Sequence, residues 1–157
     1  MATTSYLIAL GSNRWGRHGP PERELRAALD AIGGIVHAAP VLRTPPLGPS
    51  RRRFANAAAI IATDESPPRL LARLKAIERD FGRRGARRWA QRVLDLDIIL
   101  WSEGAWSGAG LTVPHPAFRE RDFVLRPAVR IAPDWRDPLT GLSIRQLAER
   151  QGKPRRS

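Results

Sequence analysis

The sequence predicts an α+β fold, a ferredoxin-like βαββαβ sandwich with two helices packed on one face of an antiparallel sheet. Three observations predict it. Short apolar runs of strand length alternate with segments whose apolar residues recur at helical spacing. Proline and glycine pairs separate the runs. A length of 157 residues with 42% hydrophobic content supplies one core and leaves little room for a second domain. A single domain over residues 1–157 is therefore expected.

Ser5 to Leu10 is short and apolar and reads as a buried strand ending at Gly11-Ser12-Asn13. Pro20-Pro21-Glu22 opens a helix with an inward stripe of Leu25, Ala28, Leu29 and Ile32, closed by Gly33-Gly34. Ile35 to Thr44 reads as a strand, with Pro40 marking an edge or a bulge, and Phe54 to Ala62 as its partner. Ser66 caps a second helix with Pro67 in its first turn; Leu70, Leu71, Leu74, Ile77 and Phe81 form its stripe until Gly82. A strand, RVLDLDIILW, follows over 92–101. Beyond it, Leu111 to Pro133 holds four prolines and reads as loops with a short strand, and Ser143 to Arg150 as a last helix. The tail Lys153 to Arg156 is expected to be mobile.

Within the 92–101 strand, Asp95 and Asp97 point to one face while Leu94, Leu96, Ile98 and Leu100 take the other. At about 3.3 Å per residue the two aspartates stand roughly 7 Å apart at Cα, close enough to share one or two hard cations such as Mg²⁺. The same pair also reads as a strand-end pair tied to nearby arginines, and an isolated D-x-D does not choose. The preceding GRRGARRWAQR, Gly82 to Arg92, carries five arginines and a tryptophan. Guanidinium forks match phosphate oxygens, so carboxylates beside arginines point to phosphoryl transfer. No GxxxxGK[ST], GxGxxG or HRD occurs, which excludes a P-loop enzyme and the usual kinase architecture.

The formal charge of +12 would suit nucleic acid, but it is spread along the chain, with denser clusters at 51–53, 83–92 and 153–156. Zero cysteines exclude disulfides and thiolate metal sites. The start, MATTSYLIALGSN, has no basic region leading into a long apolar stretch, and no apolar run approaches 18 residues. A cytoplasmic protein without membrane insertion is expected.

Seven motifs then occur in order: GSN at 11–13, RTPPLGP at 43–49, FxNAA at 54–58, GR at 82–83, RWxxRxLDLDIxL at 88–100, LTVPHP at 111–116 and RxFVLxP at 121–127. Together they resemble the 6-hydroxymethyl-7,8-dihydropterin pyrophosphokinase family of folate biosynthesis, over nearly the whole chain. The resemblance implies transfer of pyrophosphate from MgATP to the pterin hydroxymethyl group with release of AMP. It implies two Mg²⁺ ions on Asp95 and Asp97, and Arg83 and Arg92 gripping phosphate, with Trp89 closing over them. Asp97, Arg83 and Arg92 would be the catalytic residues. Lys75, Glu78, Ile98, Leu111, Thr112, His115 and Arg121 would lie on the ATP side. Phe54 and Phe123 would stack on the pterin, with Asn56 and the stretch Thr44, Pro45, Pro46, Leu47 and Gly48 along its edge. His18 and His37 receive no role.

Some positions depart from the family pattern. Ala90-Gln91 replaces the usual Gly-Pro, Lys75 stands where a glutamine is frequent, Gly110 replaces a basic residue, and Arg51 to Arg53 precedes Phe54. The rival reading is a ferredoxin-like nucleic-acid-binding module. It lacks an RNP1 motif, and a carboxylate pair on the sheet would repel phosphate unless metal were bound. A diverged family member using a modified pterin is the other alternative. A monomer that binds ATP and pterin, and neither nucleic acid nor membrane, is the expectation.

Overall fold

The computed structural model describes residues 2–44, 54–82, 93–108 and 110–152. The expected tail at 153–157 lies outside them. The elements are β1 (Thr4–Ser12), α1 (Pro21–Ile32), β2 (Ile35–Ala38), β3 (Leu42–Thr44), β4 (Phe54–Thr63), α2 (Pro67–Phe81), β5 (Asp95–Trp101), β6 (Trp106–Gly108) and β7 (Leu111–Val113). A 3₁₀ turn at Phe118–Glu120, α3 (Asp122–Ile131) and α4 (Ile144–Gly152) complete them. The main sheet has the order β2-β4-β1-β5, with β3 also on β4, and all these pairings are antiparallel. β6 and β7 form a separate hairpin.

The strand expected over 35–44 is two strands on one edge. Pro40 sits in the break between them, where the missing N–H costs no ladder bond. Gly34, just before β2, has φ +63, and a Cβ there would lie 2.6 Å from the Ala62 carbonyl oxygen. Only glycine allows this approach, in which Ala62 N–H donates to Gly34 at 2.9 Å.

One face of the sheet buries Tyr6, Ile8, Leu10, Ala57, Ala59, Leu96 and Ile98 under Leu25, Ala28 and Ile32 of α1 and Leu70, Leu74 and Phe81 of α2. The helical stripes read from the sequence thus face this core, with Leu29, Leu71 and Ile77 only partly buried against it. The Ser66 cap is a correction: its side chain makes no capping bond, and its carbonyl instead accepts from Leu70 N–H at 2.9 Å. Pro67 and Pro68 occupy the first two helical positions, so the N–H that a capping serine would reach at the second is absent. Ser143 does cap α4. Its Oγ accepts from Gln146 N–H at 3.2 Å while Gln146 Oε1 accepts from Ser143 N–H at 2.9 Å, a reciprocal capping box.

The opposite face carries a second core, with Leu7, Ala9, Ala58, Ile99 and Leu100 under Val124, Leu125 and Ala128 of α3 and Ile144 and Leu147 of α4. The short strand expected within 111–133 is β7, but the loops expected over the rest are corrected, because α3 forms there with Pro127 inside it. A mid-helix proline costs about 3 kcal/mol. Burying Val124 and Leu125 returns roughly 1.5–3 kcal/mol each, and Pro127 is itself buried, so packing outweighs the lost hydrogen bond. Leu100 is a second correction. The β1–β5 register slips between Leu7 and Ile8, where Leu7 pairs with Leu100 and Ile8 with Ile98. The extra residue, Ile99, is a bulge that turns Leu100 onto the second face.

Asp137 holds the turn between α3 and α4. Burial pushes its carboxyl up, but hydrogen bonds from Arg119, Thr140 and Leu139 N–H outweigh burial and hold its pKa down at about 2. A depressed carboxylate stabilises the fold above its unfolded pKa, near 3.8, and loses that contribution as pH falls through about 2. Asp137→Asn is expected to cost about 2 kcal/mol at neutral pH and to flatten the stability profile between pH 4 and 2. Denaturant titrations across that range check this, and parallel acid limbs for both proteins would contradict it.

Candidate active site

The register sets polar residues of two strands in one row across a glycine of the third. Gly11, near the end of β1, pairs with Asn56 of β4 on one side and Asp95 of β5 on the other. Strands lie about 4.8 Å apart, so Asn56 and Asp95 stand roughly 10 Å apart across the glycine. Asp97, two residues along β5, pairs with Ala9, which belongs to the second core. Period-two alternation therefore puts Phe54, Asn56, Asp95 and Asp97 on the face that α3 and α4 cover only in part. Asp95 is exposed and Asp97 half-buried.

Gly11 explains why its motif begins with glycine. A Cβ at this position would lie 3.3 Å from Asn56 Oδ1, so the amide leans over the bare backbone. Asn56 is only 7% exposed, which makes it a fixed rather than a wandering donor and acceptor. Phe54 and Phe123 are large aromatics left 37% and 45% exposed, as stacking surfaces need to be.

His115 is tied to β5 through its backbone, whose N–H donates to the Ile99 carbonyl at 3.0 Å. Its Nδ1 accepts from Ala117 N–H at 3.1 Å, which leaves the ring proton on Nε2 as a donor. Burial holds the imidazole below the usual histidine range; the nearby Asp97 carboxylate opposes this and the Arg121 guanidinium reinforces it. At neutral pH the ring is uncharged. Arg121, at the start of α3, lies over the Phe123 ring at 5.7 Å from its centroid. One electrostatic neighbourhood thus joins Asp97, His115 and Arg121, with Phe123 beside it.

Other expected residues sit differently. Ile98 is 3% exposed in the first core, and Leu111 packs against that same core from β7. Thr112 is exposed on β7. Glu78 accepts a hydrogen bond from Leu96 N–H at 2.7 Å through Oε2, and Lys75 Nζ lies 3.2 Å from its Oε1. Thr44 ends β3, paired with Phe54. Pro45, Pro46, Leu47, Gly48, Arg83, Trp89 and Arg92 lie outside the described residues. His18, given no role from the sequence, has one in the fold: its N–H and Nδ1 lie 3.0 and 2.6 Å from the carboxylate of buried Glu24. Gly11 is the site residue that residue-type reasoning passed over, since its part emerges only from strand register.

The donor set suits a hard divalent cation. Two carboxylates on one face beside an uncharged imidazole offer oxygen ligands while leaving positions for phosphate and water, the habit of Mg²⁺. Among the described residues no group of three or more His, Cys, Asp or Glu gathers as an all-protein cage. Among them, too, no helix is long and apolar enough to cross a membrane.

A family model described as 7,8-dihydro-6-hydroxymethylpterin-pyrophosphokinase matches residues 7–133. A Synechocystis protein named 2-amino-4-hydroxy-6-hydroxymethyldihydropteridine pyrophosphokinase is 43% identical over 148 residues, covering 91% of this chain and 74% of its own. A Haemophilus influenzae protein of the same name is 40% identical over 137 residues, covering 83% and 82%. The crystal structure of Plasmodium falciparum HPPK-DHPS superposes with a TM-score of 0.75 at 12% identity. That match spans 95% of this chain but 41% of the other, and at such identity it speaks to the fold alone. With motif order, family match and close relatives in agreement, the chain belongs to the 7,8-dihydro-6-hydroxymethylpterin-pyrophosphokinase family.

Proposed function

We propose that the chain transfers the β,γ-pyrophosphoryl group of ATP to the hydroxymethyl oxygen of 6-hydroxymethyl-7,8-dihydropterin. The observation that carries this reading is the row Asn56, Gly11 and Asp95, with Asp97, Phe54 and His115 next to it on one face. The hydroxymethyl oxygen bonds to the β-phosphorus as the α,β-bridging bond breaks. AMP leaves, and the hydroxyl proton passes to solvent. The framework is a ferredoxin-like βαββαβ plan, supported by the order β2-β4-β1-β5 with α1 and α2 on one face.

Asp95 and Asp97 are the residues that would hold two Mg²⁺ ions, which when bound neutralise charge on the entering and leaving oxygens. Neutral His115, with Nε2–H as donor, and Arg121 contact the nucleotide phosphates. Phe54 and Phe123 stack on the pterin, and Asn56 reads its edge through both amide atoms. Thr112 and Leu111 flank the base side of the nucleotide. Arg83 and Arg92, with Trp89, clamp the polyphosphate; their assignment rests on the family motif.

The deciding experiment incubates the protein with MgATP and 6-hydroxymethyl-7,8-dihydropterin and separates the nucleotides. AMP is expected in step with pterin diphosphate. ADP, or no nucleotide change, would overturn the reading. A narrower prediction concerns the floor of the pterin site. Gly11→Ala pushes the Asn56 amide by a few tenths of an ångström. Losing one neutral hydrogen bond costs about 0.5–1.5 kcal/mol, so the KM for pterin is expected to rise about threefold to tenfold while that for MgATP holds. Equal changes in both constants would contradict this geometry.

A further inference from the structure

We infer that Glu78 is a positioning residue that sets the spacing of the metal-binding aspartates by clamping the open edge of β5. β5 ends the sheet order β2-β4-β1-β5, so one side of it has no strand partner among the described residues. An unpaired edge amide needs an acceptor, and here α2 brings one. Glu78 Oε2 accepts from Leu96 N–H at 2.7 Å, and the side chain is only 8% exposed.

The position along β5 gives this bond its consequence. Leu96 stands between Asp95 and Asp97, with its own side chain in the first core and theirs on the opposite face. Fixing the Leu96 amide fixes the strand's rotation about its axis, and with it the direction in which both carboxylates leave the sheet. The carboxylate lies on the helix side of the strand, and its second oxygen is taken up by Lys75 at 3.2 Å. A carboxylate that meets the strand amide with one oxygen and a lysine with the other is well suited to hold the strand that carries the metal ligands, as partners of ligating residues do in other metal sites.

This inference rests on the proposed function for the identity of the metal-binding pair, and its test can fail separately. The variants are Glu78→Ala, which removes the acceptor, and Glu78→Gln, which keeps an amide oxygen for Leu96 N–H but removes the charge. Three quantities are read: Mn²⁺ binding with a non-hydrolysable ATP analogue, by electron paramagnetic resonance; exchange of the Leu96 amide, by NMR; and kcat and KM for MgATP. Glu78→Ala is expected to weaken Mn²⁺ binding about tenfold or more, to speed Leu96 exchange, and to lower kcat, with pterin binding in the absence of nucleotide unchanged. Glu78→Gln is expected to restore most of the Mn²⁺ affinity and the slow exchange. If Glu78→Gln is as damaged as Glu78→Ala, the charge itself meets the ligand and the clamp is overturned. Unaltered Mn²⁺ binding in Glu78→Ala would also overturn it. Should Glu78→Ala fail to fold, Glu78→Gln is compared with the native protein: near-native Mn²⁺ affinity with slow Leu96 exchange supports the clamp, and weakened Mn²⁺ binding with exchange still slow overturns it. Absence of AMP release by the native protein would defeat the proposed function and leave the Mn²⁺ and exchange results to stand on their own.

Discussion

Asp97→Ala is expected to reduce turnover at least a thousandfold while leaving the fold as stable as before. A metal bound by two carboxylates contributes several kcal/mol of charge stabilisation to the transition state, and each 1.36 kcal/mol is a factor of ten. Asp97 is half-buried and two residues from Asp95 on the same strand face, so its loss removes the better-sheltered of the two anions. Stability should hold because removing one of two like charges relieves repulsion. Pterin binding, read by tryptophan or pterin fluorescence without nucleotide, should persist, since Asn56 and Phe54 belong to β4. Binding of a Mg²⁺–nucleotide analogue should weaken strongly. Native activity in this variant would remove the two-carboxylate basis of the mechanism.

Arg83→Ala and Arg92→Ala are each expected to lose roughly a hundredfold or more in kcat with little change in melting temperature. A solvated arginine that does no chemistry costs less than about 0.5 kcal/mol when truncated. One that grips phosphate more firmly in the transition state than in bound ATP lowers the rate more than the affinity, and about 2.7–4 kcal/mol is typical for a single electrostatic donor. Arg87→Ala is the internal control, because it matches no arginine of the family motif. Comparable small effects for all three would mean that the segment is charged surface.

The site's legibility varied with how local its cause was. That Asp95 and Asp97 share a face follows from the two-residue repeat of any strand, as does the pairing of Phe54 with Asn56. The helical stripes at 25–32 and 70–81 were legible for the same reason, and Pro40 marked an edge because proline cannot donate to a ladder. Ser66 shows the limit of such rules, since the prolines after it remove one of the two N–H groups that a capping serine can use.

What the sequence by itself determined is therefore periodic and local: the strands and helices from β1 to β5, apart from the division of the 35–44 strand in two, the two carboxylates, and the motif order that marks the family. Tertiary structure decided the rest. Only strand register brings Gly11 between Asn56 and Asp95, residues more than forty and eighty positions away along the chain. Only the bulge at Ile99 turns Leu100 to the second core. Only packing against the far face of the sheet holds α3 together across Pro127. Glu78 meets Leu96 because α2 crosses the open edge of β5. The physical reason is common to all four. A propensity is a property of a few neighbouring residues worth about a kilocalorie each, whereas register, burial and edge satisfaction are set by partners distant in sequence and together outweigh it.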